Sequence, residues 1–342
     1  MKRKEIILKR IKEALHLLLE LQAENGCFFY PYSNGKTNYC NARWQEAVIT
    51  IALSLKHKWI NDKDAIKKIN NGINFLIKLQ NNDGSFPEYS RKDKSFAATA
   101  FIAFALTKTI DVLKELKINI KEEWNYSLYC ALKWLQKENE LIYYNQEAAA
   151  GASLIIGARI FRNKNFEESG LKKIKKVLNA QKEYYPEKNG FDLAYSSLTL
   201  EYLGFVFEEG IMQKDIIDSV EEYYSFLISK DLNNVKNSRN TDWIILDGFE
   251  IFAKKVENGK EVLKKVLNLS IQLDHLENQS NICTDMYRLI FAYEHSTELQ
   301  NKSMNFYKLK PKNYTGTHKK IFNPLRRVGL HRLRNLKLKF SN

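Results

Sequence analysis

Carboxylate, tyrosine and arginine side chains recur at the starts of apolar segments, which lie roughly fifty residues apart in this sequence. Two carboxyl groups at a defined separation can hydrolyse a glycosidic bond, one as an acid and the other as a base or nucleophile. A tyrosine beside a cation can instead remove a proton next to a carboxylate, as elimination and epimerisation require. The catalytic candidates on these grounds are Glu46, Glu147, Asp192, Tyr195 and Asp242.

A second group of side chains near the same segment starts is suited to binding a sugar. Aromatic rings stack on the apolar faces of pyranoses, whereas carboxylate and guanidinium groups form charge-assisted hydrogen bonds with polar substituents. Arg43 or Arg288 would neutralise an acidic group on the substrate. The binding candidates are Arg43, Trp44, Tyr89, Tyr144, Trp243, Asp285 and Arg288.

These positions also have a simpler structural interpretation. Asp, Asn, Ser and Thr at helix starts act as caps, and a Glu in a first turn is stabilised by the helix dipole. Tyrosine in a loop and tryptophan near a helix start commonly pack in the core. The functional interpretation depends on a shared location, because several of these side chains meet only if the helices form a closed ring.

The elements that must position them alternate in character along residues 5–296. Amphipathic segments such as AIKKINNGINFLIKLQ (65–80) have one solvent-exposed face, whereas segments such as AAAGASLIIGA (148–158) have none and must be buried. Four amphipathic helices are predicted to end at Leu21-Gln22, Leu79-Gln80, Leu135-Gln136 and Ala180-Gln181. The apolar helices are predicted to begin near Asn41, Ser95, Gln146, Asp192, Asp242 and Thr284.

This alternation predicts an all-α fold of two concentric layers, an α6/α6 toroid, in which amphipathic outer helices cover an inner ring of apolar ones. An open helical solenoid is the structural alternative. Because no Pro- or Ser-rich linker divides the body, we expect one domain of six helix-pair repeats over residues 1–300, followed by a tail over 301–342.

The repeat carries a resemblance to a known superfamily. The segment FLIKLQNNDGSFPEYSRKDKSFAATAFIAFAL (75–106) resembles the repeat of α/α-toroid proteins of the squalene-cyclase and protein-prenyltransferase branch. The segment YYPEKNGFDLAYSSLTLEYL (184–203) is similar to repeats of α/α barrels of the polysaccharide-lyase and uronyl-epimerase type. The resemblance covers roughly residues 5–296 and implies a fold, since toroids include cyclases, glycosidases, lyases and non-catalytic binding proteins.

Several toroid chemistries lack their residues in this chain. The DxDD motif of class II terpenoid cyclases and the magnesium-binding DDxxD motif are both absent. The nearest zinc set is Cys283, Asp285 and His295, but Asp285 and His295 would lie about 15 Å apart along a continuous helix. No nucleotide-binding glycine motif occurs either. We therefore predict no metal site and no cofactor. The six histidines lie away from the predicted inner-helix starts, which disfavours a histidine-based mechanism.

The net charge of +14 is concentrated at the C-terminus. Residues 301–342 hold eight Lys and four Arg with no acidic residue, which leaves +2 for residues 1–300. A nearly neutral body makes nucleic acid an unlikely partner. The basic tail, with interleaved leucines, is suited to an anionic membrane surface or to packing on the body.

Together these features predict an enzyme that acts on a carbohydrate by hydrolysis, elimination or epimerisation, with a role in envelope polysaccharide synthesis. An isoprenoid-cyclase-like enzyme without DxDD and a non-catalytic binding or scaffolding toroid are the alternatives. Four cysteines without CxxC spacing predict reduced thiols and a cytoplasmic location, peripheral at the inner membrane face. The oligomeric state is left open.

Overall fold

Twelve α-helices form the described part of the chain. The computed structural model describes residues 2–29, 32–33, 38–39, 41–187, 190–234, 237–239, 241–299 and 304–309. The outer helices are α1 (Arg3–Glu20), α3 (Asp62–Leu79), α5 (Glu122–Lys137), α7 (Lys164–Ala180), α9 (Gln213–Ser229) and α11 (Gly259–Leu267). The inner helices are α2 (Ala47–Lys56), α4 (Phe96–Glu115), α6 (Tyr144–Phe161), α8 (Leu193–Glu208), α10 (Asp247–Phe252) and α12 (Gln279–His295). A 3-10 helix, Ala42–Glu46, leads into α2, and strands β1 (Tyr32–Ser33) and β2 (Asn38–Tyr39) pair antiparallel before it.

The inner helices close into a ring. Each packs on the next from α2 through α12, and α12 packs back on α2. Each inner helix from α2 to α10 also packs against the outer helix that follows it in the chain, and α12 packs against α1. The α6/α6 toroid predicted from the sequence is therefore confirmed, and the open-solenoid alternative is excluded by the contact between α12 and α2.

The inner helices are buried as their composition predicts. In α6, residues 147–158 are buried without interruption. Small side chains let neighbouring backbones approach closely, so that the Ser153 hydroxyl donates to Ala149 O at 2.7 Å and also lies 3.2 Å from Ala100 O on α4. Helix α4 is long and apolar enough to cross a membrane by composition, but 78% of that stretch is buried inside the toroid. It is therefore a core helix of the ring.

The glutamine that ends each of the first four outer helices joins that helix to the next outer helix. The side-chain amide of Gln22 donates to Lys68 O at 2.8 Å, and that of Gln80 donates to Ser127 O at 2.9 Å. Gln136 and Gln181 donate in the same way to Asn165 O and Ser219 O. The repeated Leu-Gln thus has a structural role, because it satisfies backbone carbonyls between neighbouring helices.

Glycine in the loops that follow these glutamines is required by close approach. Gly26 and Gly84 have φ values of +93° and +100°. A Cβ at Gly26 would lie 2.1 Å from Asn71 O, and one at Gly84 would lie 2.2 Å from Cys130 O. Only glycine fits both the left-handed backbone and the contact with the next outer helix.

The inner-helix starts agree with the sequence prediction for α4, α6 and α8. The start predicted near Asn41 belongs to the 3-10 helix Ala42–Glu46, and α2 itself begins at Ala47. Asn41, Ser95 and Asp192 are N-caps, and α6 begins at Tyr144, two residues before the predicted start. The last two starts are displaced. Helix α10 begins at Asp247 rather than near Asp242, and α12 begins at Gln279 rather than near Thr284.

The connections differ in length on the two faces of the ring. Loops from inner to outer helices are short, as in 162–163 and 209–212, whereas loops from outer to inner helices are longer, as in 80–95 and 230–246. All the longer loops lie at the face where the inner helices begin, which we call the mouth. Long loops on a rigid scaffold are where functional side chains concentrate.

The C-terminal prediction falls mostly outside the described residues. Of residues 301–342 only 304–309 are described, and Asn305 there donates to Ser270 O and Ile271 O on the body. Cys27 is disulfide-bonded, so the expectation of reduced thiols is wrong for Cys27. Cys283 is a buried free thiol.

Candidate functional site

The 3-10 helix before α2 places an arginine and a glutamate in the mouth. Arg43 Nε donates to Glu46 Oε1 at 2.9 Å, and the guanidinium lies 4.3 Å from the centre of the Phe101 ring. Glu46 is fully buried, and its Oε2 has no hydrogen-bond partner among the described residues. Burial raises the pKa of Glu46 to about 7, because it outweighs the favourable charges of Arg43 and Arg288.

Helix α12 places an oppositely tuned carboxylate beside this pair. Asp285 Oδ1 accepts from Arg288 Nη1 at 2.6 Å, and Asp285 Oδ2 accepts from Thr284 Oγ1 at 2.6 Å. His275 Nδ1 lies 3.2 Å from Asp285 Oδ2. Burial opposes ionisation of Asp285, but Arg288, His275 and Arg43 outweigh it and hold its pKa below the usual range. Asp285 is therefore ionised where Glu46 can keep a proton.

Below these groups, Arg288 anchors a second pair of buried carboxyl groups. Arg288 Nε donates to Glu201 Oε2 at 2.7 Å, and Nη2 donates to the Tyr202 hydroxyl at 2.8 Å. Glu201 and Asp247 lie within hydrogen-bond reach of each other, and Glu201 Oε1 and Asp247 Oδ2 have no other partner among the described residues. Burial raises the pKa of Asp247 to about 7 and that of Glu201 well above its usual value. The pair is therefore suited to sharing one proton.

A second arm of the mouth centres on Arg239 and Tyr195. The Arg239 guanidinium lies 3.8 Å from the centre of the Tyr195 ring, and its Nη1 is 3.9 Å from Glu187 Oε2. Asn145 Nδ2 donates to Glu187 Oε1 at 2.6 Å. Burial raises the pKa of Glu187 to about 7 and raises that of Tyr195. This arm therefore has a cation that no close carboxylate among the described residues fully neutralises.

An aromatic line connects the two arms. Tyr195 meets Trp243 edge to face with ring centres 5.6 Å apart, and Trp243 stacks on His275 at 4.1 Å. Since His275 contacts Asp285 and Tyr195 lies under Arg239, an unbroken line of contacting side chains crosses the mouth from Asp285 to Arg239.

The structure separates the five catalytic candidates. Arg43, Glu46, Asp285 and Arg288 form a group of buried charges that we call the charged cluster. Glu46 therefore lies in this cluster, whereas Tyr195 lies beneath Arg239, and both are in the mouth.

The other three catalytic candidates have structural contacts. Asp192 caps α8 by accepting a hydrogen bond from Tyr195 N at 3.2 Å. It also accepts from Arg239 N and Thr241 Oγ1, so it fixes the conformation of the loop before α10. Glu147 points to the outer layer, where it binds Lys173 and Lys176. Asp242 is exposed in the 230–246 loop and accepts from Tyr307 Oη. We therefore do not retain Asp192, Glu147 or Asp242 as catalytic groups.

The binding candidates fall into three groups: buried charged side chains, buried aromatic side chains and one exposed aromatic ring. Arg43, Asp285 and Arg288 meet in the charged cluster. Trp44 and Trp243 are 4% and 7% exposed, too little to offer a sugar an open ring face. Tyr144 packs against the core. Tyr89, which is 63% exposed beside Glu88, is the candidate whose ring is open to solvent at the rim.

Five members of the site were not predicted. Arg239 and Glu187 come from loops of the mouth, and the other three are Glu201, Asp247 and His275. Glu201 and Asp247 each interrupt an otherwise apolar helix, and an acid in a buried helix must be paired or protonated, so this signal was present in the sequence. His275 is the third, and its position corrects the expectation that no histidine lies near the site. It reaches Asp285 because α12 begins five residues earlier than predicted, and no local pattern indicated this.

No group of three His, Cys, Asp or Glu side chains is placed to hold a metal ion within the described residues. The sequence-level zinc candidates do not converge, because His295 pairs with Glu208 at the far end of α12. The polar atoms of the mouth are instead arranged as Arg–carboxylate pairs.

Comparison with known proteins identifies the fold. No protein-family model matches the chain, and no curated protein matches it. Among solved structures, the chain is similar to an inactive variant of an α-1,6-mannanase from Salegentibacter sp. HEL1_6 in complex with α-1,6-mannotetrose. The TM-score is 0.58 at 8% identity, covering 86% of this chain and 99% of that one. A glycosyl hydrolase of family 88 from Bacteroides vulgatus matches with TM-score 0.57 at 8% identity, covering 85% and 99%. A polysaccharide lyase matches with TM-score 0.53 at 8% identity, covering 86% and 99%. At such identities the similarity shows the α/α-toroid fold.

Proposed function

We propose that this protein is a glycoside-cleaving enzyme whose site is the charged mouth of the toroid. The observation that carries the proposal is that Glu46, held by Arg43, and Asp285, held by Arg288, lie close enough for each carboxyl group to feel both arginines. Two neighbouring carboxyl groups whose environments push their pKa values in opposite directions are suited to acid and base roles. The named α-1,6-mannanase and family 88 hydrolase, which act on carbohydrates, have the same fold and lend support.

In this proposal Glu46 is the general acid. Its pKa of about 7 keeps a proton available near neutral pH. Its Oε2 has no hydrogen-bond partner among the described residues, and it donates to the departing glycosidic oxygen once the side chains that cover Glu46 move apart to admit the sugar. Arg43 holds the other oxygen of Glu46 and so fixes the direction in which the carboxyl group presents its proton. When Glu46 has given up the proton, Arg43 stabilises the resulting carboxylate. Water then adds to the glycosidic carbon, and the Glu46 carboxylate accepts the proton that this water loses, which restores the acid.

Asp285 supplies the negative charge. The glycosidic carbon becomes positively charged in an oxocarbenium-like transition state, and an ionised carboxylate nearby stabilises that charge. Arg288, Thr284 and His275 fix Asp285 in position and keep it ionised. Tyr89 at the rim offers a ring face on which a sugar can stack.

An elimination mechanism is the second candidate, because Arg239 stacks on Tyr195 as a base next to a carboxylate-binding cation would require. Burial raises the pKa of Tyr195, however, which makes the phenolate harder to form near neutral pH. This favours hydrolysis. Isoprenoid chemistry has less support, since the inner aromatic rings such as Phe104, Tyr202 and Phe205 pack on one another.

The test is product analysis on a panel of neutral and uronic-acid oligosaccharides. Mass spectrometry distinguishes hydrolysis, which adds water across the bond, from elimination, which leaves an unsaturated sugar. We expect hydrolysis, with kcat lowered by about 10²- to 10⁴-fold in Glu46→Gln. Glu147→Gln is the matched control, since Glu147 is an equally buried inner-helix carboxylate that binds Lys173 and Lys176 of the outer layer, and its kcat should stay near that of the wild type. Unsaturated products would support the second candidate, and cleavage unaffected by Glu46→Gln would contradict the proposed site.

A further inference from the structure

A loop at the rim of the mouth displays two adjacent aliphatic side chains to solvent. Among the described residues the exposed large hydrophobics are Tyr89, Tyr126, Leu141 and Ile142. Leu141 is 73% exposed and Ile142 48% exposed, and they are the two aliphatics of that set. Exposed aliphatics scattered singly need no explanation, but an adjacent pair at a loop tip is typical of a docking surface.

The tip is held rigidly in this exposed conformation. The Glu140 carboxylate accepts hydrogen bonds from the backbone N–H groups of Leu141, Ile142 and Tyr143, at 2.9, 2.9 and 3.3 Å. Glu140 N in turn donates to the buried Glu147 at 2.9 Å, which anchors the loop to the start of α6. Because Glu140 already fixes the backbone of the tip, burying Leu141 and Ile142 in a binding partner would cost little additional conformational entropy.

A lysine-bearing face of α7 lies beside the tip. Lys176 Nζ donates to Glu140 O, so this face and the loop are in direct contact. A groove of about 750 Å³ follows the same face, lined by Leu171, Lys172, Lys175, Lys176 and Asn179 together with one acid, Glu168. Lys172 and Lys175 are exposed. The surface therefore combines an apolar tip with an adjoining, mainly basic helix face.

We propose that the Leu141–Ile142 tip inserts into an anionic lipid bilayer while the α7 lysines contact its headgroups. The chemistry of the two parts matches the two layers of such a surface, apolar acyl chains next to negatively charged headgroups. This inference is independent of the catalytic proposal, because it uses none of the residues assigned to the reaction. It also differs from membrane attachment through residues 301–342, since it assigns binding to the mouth side of the ordered body.

The test is co-sedimentation of the full-length protein with vesicles of phosphatidylcholine alone or mixed with phosphatidylglycerol. We expect binding to the anionic vesicles, weakened by about tenfold or more in Leu141→Ser/Ile142→Ser. Each of Lys172→Gln and Lys175→Gln should weaken binding by up to about fivefold. Tyr126→Ser is the matched control and should bind like the wild type. Residues 301–342 are present in every variant, so their contribution cancels in the comparison.

A second measurement reports insertion directly. Fluorescence of Leu141→Trp should be quenched by brominated lipids more strongly than that of Tyr126→Trp. Equal vesicle binding by the wild type and Leu141→Ser/Ile142→Ser would overturn the proposal, as would equal quenching of the two tryptophan variants. Concentration-dependent self-association that Leu141→Ser/Ile142→Ser abolishes, without vesicle binding by the wild type, would also overturn it and assign the tip to a second copy of the chain.

Discussion

The first four helix pairs and the closure of the ring are held together by different forces. Along the first four pairs, glutamine amides join successive outer helices through neutral hydrogen bonds to backbone carbonyls. Buried ion pairs are more numerous around α1, α10 and α12, where the ring closes, than in the first four pairs, where Lys173 binds Glu147. Arg3 binds Glu250, Arg10 Nε donates to Asp274 at 2.7 Å, and Arg288 binds Glu201.

This difference suggests separate roles for the two kinds of interaction: the repeated hydrogen bonds stabilise the ring, and the buried ion pairs position functional groups. A buried ion pair contributes little net stability, because desolvating two charges costs about as much as their attraction returns. Charges concentrated at the closure are therefore expected to serve binding or catalysis, which agrees with the position of Glu46, Asp285 and Arg288.

The largest effect is expected from removing the cation at the closure. Arg288→Met leaves Glu201 and Asp285 buried without their partner, which should lower the free energy of unfolding by about 3–5 kcal/mol. Arg159→Met is the matched control, because Arg159 also bridges two acids but is 55% exposed, and it should cost under about 1 kcal/mol. Denaturant titration measures both values. Equal losses of unfolding free energy in the two variants would show that removing Arg288 from its buried acids is no more destabilising than removing the exposed Arg159.

The next largest effect concerns pH. Because the pKa of Glu46 rises from 4.5 to about 7 on folding, the folded state binds more protons than the unfolded state between these values. Stability contributed by the protonated group is therefore lost as pH rises from about 4.5 to 7, on the order of 3 kcal/mol. Unfolding free energies measured across this range should fall more steeply for the wild type than for Glu46→Gln. Parallel curves would contradict the raised pKa.

A smaller loss is expected in the regular repeats. Gly84→Ala forces a Cβ against Cys130 O at a φ of +100°, which should cost about 2–3 kcal/mol and leave the pH dependence unchanged. Gly210→Ala is the control, since Gly210 also has a positive φ but a Cβ there has nothing within 4 Å. It should cost about 1 kcal/mol. The melting temperatures of the two variants provide the comparison.

The smallest effect tests one glutamine contact. Gln80→Ala removes hydrogen bonds to Gly84 O and Ser127 O and should cost about 1–2 kcal/mol. Gln213→Ala, which removes one exposed hydrogen bond to Phe207 O, should change stability by less than about 0.5 kcal/mol. No difference between the two variants in denaturant titration would mean that the repeated glutamine does not join the helices.

The fold was predictable because it depends on repetition. Alternating amphipathic and apolar segments, with glutamine and glycine at fixed positions, indicate the same hairpin several times over, so an error in one repeat does not change the architecture. Ser95 and Asp192 were found as inner-helix starts, and Asn41 as the start of the 3-10 helix before α2, because each is an N-cap with a local signature.

The site was only partly predictable, because it depends on where the ring closes. Acidic residues at helix starts look alike in the sequence. In the structure, Asp192 and Glu147 form structural contacts, whereas Glu46 and Asp285 belong to the charged cluster. Glu201 lies in the middle of α8, away from any helix start, and His275 comes from a loop. Which side chains meet across the ring follows from the contact between α12 and α2, which no local pattern encodes.

The most direct test of the central claim is a crystal structure of Glu46→Gln with an uncleaved oligosaccharide, chosen from the panel because the wild type cleaves it. We predict that the sugar lies in the mouth, with its scissile oxygen within hydrogen-bond distance of the residue 46 amide and its glycosidic carbon facing Asp285. An oligosaccharide bound away from both side chains, with Arg43 and Arg288 still paired to their acids and untouched by the ligand, would contradict the assignment.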